Sequence, residues 1–347
     1  MRSICSNLAL IMICLLGLTS CSKKELSENS SNKDVSKTSP KTELIDYRQE
    51  LRTFIQDISA WARAQKPGFI VVAQNSTELI TTNGSPAGPV AANYLKALDG
   101  IGREELYYGY ENNDDSVTPS NVTNAWVNLL KIGTANKLTV LTTDYCSTAT
   151  KVTASYQKNE KNGFISFATP SRELKVIPAG APYHENVNNI NTLADAKNFL
   201  YLIHPTNNQY LNNLKATNYD VLIIDAFQLD NESVTWTKDQ VNSLKVKKNG
   251  AKRLVLAYMS IGQAEDYRWY WNPSWLNNKP AWFGDLDPDW GGNYNVRFWM
   301  PEWKAFIYGN ANSYTQKILD AGFDGTYLDP VDASGYWEEH PNTIIKR

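Results

Sequence analysis

The chain has 347 residues, 42% of them hydrophobic and 20% charged, with a formal net charge of −2 at pH 7. A near-neutral balance without clustered basic surface argues against a nucleic-acid partner. Three scattered histidines (His184, His204 and His340) and four cysteines without metal-ligand spacing give no metal or cofactor motif, and neither group is expected.

At the N-terminus, Arg2 precedes the apolar stretch Leu8–Leu18, which ends in Leu18-Thr19-Ser20-Cys21. A basic start, a short apolar middle and small residues before the cut form a secretory signal. The ending resembles a bacterial lipoprotein box, which implies removal of residues 1–20 and lipidation of Cys21; an ordinary signal peptide with a coincidental cysteine is the alternative. Residues 21–42 lack apolar periodicity and read as a solvated tether. The expected location is extracytoplasmic, with a membrane contacted through the lipid on Cys21, on the periplasmic or cell-surface face of a bacterial membrane. Loss of Arg2 shifts the net charge from −2 to −3, and loss of Cys5 and Cys14 leaves Cys146 as the one unmodified thiol, so no internal disulfide is expected.

Residues 43–347 are long enough for one barrel-sized domain, expected as a monomer. Leu44, Tyr47, Leu51, Phe54, Ile55, Ile58, Trp61 and Ala62 recur at helical spacing until Pro67-Gly68. From there the pattern predicts strand 69–73, helix 89–97, strand 98–101, helix 122–131, strand 138–143, helix 147–160 and strand 164–168. It continues with strand 198–203, helix 209–216, strand 220–225, helix 238–247, strand 253–259, helix 312–321 and strand 325–329. This alternation predicts a parallel sheet with crossover helices, and the strand count of eight predicts a (β/α)8 TIM barrel. An open doubly wound sheet is the alternative. The order starts with a helix and ends with a strand, so the barrel is read as circularly permuted, with the proline-rich stretch 170–190 joining ends that are free in the usual arrangement.

Several strands end in an acid or amide: Gln74 and Asn75, Asp144, Asp225, Glu265 with Asp266, and Asp329 with Asp332. In a barrel these ends surround one mouth, and a carboxylate-lined mouth suits glycosidic bond cleavage. Asn75 and Gln74 are candidate donors to sugar hydroxyls, Asp225 a supporting or binding group. Tyr258 and Asp144 are further candidate binding residues; Glu265 and Arg268 are candidate contacts or a loop ion pair. Asp329 or Asp332 could instead cap a following helix. Seven of the eleven tryptophans fall between Trp269 and Trp303, in a proline- and glycine-rich stretch read as a long loop over the mouth. One or two of these rings are expected on the sugar and the rest in packing, with Trp299, Arg297 and Tyr294 as cleft candidates.

The segments Asp225-Ala226-Phe227, Arg253 through Arg268, Gly322 through Asp329 with Asp332, Pro67-Gly68-Phe69 through Asn75, and Asp99 through Leu106 together resemble the glycoside hydrolase family 114 TIM-barrel domain, the endo-α-1,4-polygalactosaminidase-like proteins. The resemblance implies a catalytic pair, which maps to Asp329 as the carboxylate acting on the sugar and Glu104 as the acid/base. It also implies an α-linked amino-sugar polysaccharide as substrate and exchanged halves relative to the more familiar members. Gln263 stands where relatives often carry Glu, Pro330 follows Asp329 where a β-branched residue is common, and Ser76 replaces a usual Gly. These departures motivate the alternative of a non-catalytic glycan-binding surface lipoprotein on the same barrel.

Overall fold

The computed structural model describes residues 42–205, 209–228, 231–341 and 343–345. Eight parallel strands form the barrel: β1 (Ile70–Gln74), β2 (Gly100–Glu104), β3 (Thr139–Tyr145), β4 (Ile165–Thr169), β5 (Phe199–Leu202), β6 (Val221–Asp225), β7 (Leu254–Ser260) and β8 (Gly325–Asp329). They are hydrogen-bonded in the order β4-β3-β2-β1-β8-β7-β6-β5. The edge strands β4 and β5 touch without a ladder between them, so the ring is nearly closed. All eight predicted strands are present, and the (β/α)8 expectation holds. Their runs are apolar because a parallel strand in a barrel is buried on both faces; every residue of β7 is buried.

Before β1 comes the longest helix, α1 (Tyr47–Gln65), as the periodicity requires. Asp46 caps it by accepting from the Gln49 N–H at 2.9 Å, and Gly68 at φ 83° takes the left-handed turn that leads into β1. Its apolar face, including Leu51, Phe54, Ile55 and Ile58, is fully buried. Arg52 lies on the same face, satisfied by the carbonyls of Leu79 and Thr81 at 2.9 and 2.6 Å. The helices α2 (Ala92–Lys96), α3 (Ser120–Ala135) and α4 (Ala149–Lys161) follow β1, β2 and β3. Next, α5 (Tyr210–Lys215) and α6 (Lys238–Leu244) follow β5 and β6, and α7 (Pro301–Ile307) and α8 (Tyr314–Asp320) follow β7. No α-helix occupies the connection from β4 to β5, which carries one 3-10 turn at Leu193–Asp195.

Two expectations need correction. The chain does not stop at its last barrel strand: α9 (Ala333–Glu339) follows β8, and α1 packs against both α8 and α9, with Arg48 paired to Glu338 at 2.7 Å. Pro330 and Gly335 had masked so short a helix. The tryptophan-rich stretch is not a bare loop either. Gln263–Glu265, Phe283–Leu286 and Asn293–Val296 form a three-stranded antiparallel sheet with Asn293–Val296 in the centre. Its strands are too short to show a clear alternation. Beneath it Trp271, Trp275, Trp282, Trp303, Phe283 and Phe306 pack ring against ring, with centroids 4.9–6.2 Å apart.

Candidate active site

The C-terminal ends of the strands open on a cavity of about 560 Å³, a size suited to a small ligand. Glu104 closes β2 and Asp329 closes β8, and both side chains line it. Asn75, just past β1, sits in the left-handed region at φ 52°, which asparagine tolerates better than most residues. That turn aims its amide at Glu104: Nδ2 donates to Oε2 at 2.9 Å, and Oδ1 accepts from the Glu104 N–H at 3.1 Å. The Tyr145 hydroxyl donates to Oε1 of Glu104. Tyr145 is held in turn by the Arg172 guanidinium, 4.0 Å over its ring, and Arg172 also pairs with Glu105 at 2.5 Å.

Asp329 has one matching support, the Tyr258 hydroxyl, which donates to Oδ2 at 2.9 Å. Burial and the nearby Glu104 charge hold the Asp329 carboxyl well above the usual carboxylate range. Burial, with the same negative field adding to it, raises the Tyr145 and Tyr258 hydroxyls, so both stay protonated and able to donate. Below the pair, the rings of Tyr201, Tyr258 and Tyr327 fill the barrel; Tyr201 and Tyr327 are 5.1 Å apart. Glycine is required at 102, where a Cβ would come within 2.0 Å of the Tyr327 hydroxyl. Asp332 is exposed by area, yet it stands in the mouth and makes no side-chain capping bond to α9. Loss of hydration there pushes its carboxyl up to about 6, with Glu104 adding to the rise and Arg103 opposing it.

Of the other residues singled out in the sequence, Gln74, Glu265 and Tyr258 line the cavity. Five do not. Asp144 is fully buried and accepts from the N–H groups of Tyr107 and Tyr108, the Ser155 hydroxyl and the Asn159 amide; it is a structural carboxylate, not a sugar contact. Arg268 is locked between Asp225, at 2.9 and 2.7 Å, and Glu265, at 2.6 Å. That holds Asp225, partly buried, and Arg268, buried, in an ion-pair cluster outside the cavity lining. Trp299 packs against Tyr47, Phe298 and Trp337. Arg297 bonds the carbonyls of Ala281 and Phe283, and Tyr294 stacks on Trp271 and Phe283. Cys21 lies outside the described residues.

The tryptophan that does reach the cavity is Trp290, 41% exposed, on the turn between the last two strands of the small sheet. Asp287 and Asp289 flank it at the rim. Tyr145, Arg172, Tyr201 and Tyr336 also line the cavity without having been singled out. Only Tyr145 had a sequence signal, its place at the tip of β3 one residue after Asp144. Gln263 donates from Nε2 to Asp287 Oδ2 at 2.6 Å, a bond that an ionised glutamate at this position could not make. Among the described residues no group of three or more His, Cys, Asp or Glu side chains is placed to hold a metal ion.

Fold and mouth together define a (β/α)8 barrel with two carboxyl groups facing one polar, tyrosine-floored cavity. The model of glycoside-hydrolase family GH114 matches residues 184–344, the family read from the motifs; Asp225, Glu265 and Asp329 fall inside that segment and Glu104 outside it. An uncharacterized protein of Methanocaldococcus jannaschii is 38% identical over 156 residues, 45% of this chain and 42% of its own length. Uncharacterized proteins of Thermotoga maritima and Deinococcus radiodurans are 36% and 33% identical, over 36% and 38% of this chain and of their own lengths. The chain thus spans about two fifths of the length of the curated relatives it matches.

Proposed function

We propose that this protein is a glycoside hydrolase that cleaves an α-linked, galactosamine-type amino-sugar polysaccharide with Glu104 and Asp329. One observation carries the reading: the two carboxyl groups share one cavity, closely enough that the charge of Glu104 lifts the Asp329 carboxyl. Glycosidic cleavage needs one carboxyl protonated and one ionised, and mutual repulsion keeps a single proton between two such groups. In the free protein the raised Asp329 carboxyl is the one that retains this proton. Tyr258 then steadies Asp329, while Asn75 and Tyr145 fix the direction of Glu104. The acidic rim at Asp287, Asp289 and Asp332 favours a cationic amino sugar. Exchange of the two halves of the barrel fits a family match that begins at residue 184, inside the helix-free connection from β4 to β5. Export and lipidation at Cys21 complete the proposal.

A reducing-end assay across deacetylated and N-acetylated hexosamine polymers tests it, with release of ends expected from the deacetylated α-linked polymer. Its pH profile should be bell-shaped. Above the raised Asp329 ionisation the pair loses its shared proton, so activity is lost as pH rises, and that limb should lie above the ordinary aspartate range. A basic limb within the ordinary aspartate range would contradict the shared-proton arrangement. Trp290→Ala should raise KM about tenfold with little change in kcat, since a solvent-facing indole offers a stacking platform away from the reacting bond. An unchanged KM on long substrates would remove Trp290 from the cleft.

A further inference from the structure

Gln74 ends β1 in the cavity wall and is 3% exposed, yet its Oε1 accepts no hydrogen bond. A buried carbonyl without a donor destabilises the fold that contains it and calls for an explanation. Three donors that line the same cavity are committed elsewhere. The Asn75 amide and the Tyr145 hydroxyl go to Glu104, and the Tyr258 hydroxyl goes to Asp329. Tyr327, whose hydroxyl crosses Gly102 on the neighbouring strand, makes no bond to Gln74 and is itself without a partner. Since Gln74 lines the cavity, a ligand there can supply the donor. Glu104 and Asp329 line the same cavity, so the local field also favours an incoming donor over an incoming acceptor.

We propose that Gln74 is a specificity-determining residue whose side-chain carbonyl accepts a hydrogen bond from an O–H or N–H on the sugar ring whose glycosidic bond is cut. This rests on the hydrolase reading and adds to it what the ring must carry at that wall. In the free protein the unpaired oxygen lowers stability; in the complex it is satisfied. That coupling makes stability and activity move in opposite directions, which a merely structural glutamine would not do.

The test is Gln74→Met, close in shape and without an acceptor, measured by thermal melting and by hydrolysis of an α-1,4-linked galactosamine oligosaccharide. The expected result is a melting temperature equal to or above that of the wild type, with kcat/KM at least tenfold lower. A fall in melting temperature would mean that the amide holds the fold, and would overturn the inference. So would a variant as active as an active wild type, which would leave the hydrolase reading standing. A wild type that cuts none of the hexosamine polymers would overturn the hydrolase reading and this inference with it.

Discussion

Asp329→Asn is expected to lower kcat by about 10³-fold or more while leaving glycan binding within a few-fold of the wild type. The amide keeps the size of the carboxylate and can still accept from the Tyr258 hydroxyl, which lies 2.9 Å from Oδ2. It can neither carry the negative charge nor exchange the proton that the pair holds. Glu104→Gln should cost a similar factor, and the double variant should lose little more than either single one, because the two groups act as a unit. Initial rates and binding to the uncut polymer, measured on the same preparations, check both statements. Near-wild-type turnover by Asp329→Asn would remove it from the chemistry. Glycan binding by a wild type that never releases reducing ends would make the protein a binding module.

The largest effect on stability is expected at Arg268. Its guanidinium is buried, forked onto both oxygens of Asp225 and bonded through Nε to Glu265, whose side chain is buried as well. The ring of Phe227 lies 5.1 Å from the guanidinium and that of Tyr267 4.9 Å. Arg268→Leu leaves two carboxylates in this setting without a cation, and breaking a buried pair by removing one partner destabilises by about 3–5 kcal/mol. Arg268→Lys should recover part of this, since a point charge cannot reproduce the fork. Urea denaturation of the three proteins measures the series, and a loss below about 1 kcal/mol for Arg268→Leu would mean that the cluster is wetter than its burial indicates. Because Glu265 also lines the cavity, the same substitution should weaken activity by letting that side chain reorient.

The strands and principal helices were legible because each carries a local signature. The apolar face of α1 recurs every three to four residues, and β6 and β7 are uninterrupted apolar runs closed by a polar tip. Parallel strands leave the barrel at one end, so the tips at Gln74 and Asp329 could be assigned to one mouth from order alone, whereas Glu104, beyond the predicted strand 98–101, was reached only through the family resemblance. Short elements escaped for the opposite reason: α9 has seven residues with a glycine inside it, and the strands of the small sheet have three or four.

What the sequence determined by itself, then, was which positions end the strands and hence which carboxyl groups face the mouth. Which of those groups is free to meet a ligand was decided by tertiary structure alone. Asp144 and Asp329 are both aspartates near the tip of an apolar strand. Four protein groups donate hydrogen bonds to one, and a single tyrosine donates to the other. The same holds for the tryptophans, where ring-on-ring packing withdrew Trp271, Trp275, Trp282 and Trp303 and left Trp290 facing the cavity. The donors to Asp144 lie 11 to 37 residues from it, and the packed rings are brought together by the turns between Trp271 and Phe306; neither hydrogen bonding nor packing across such separations leaves a periodic trace in the sequence.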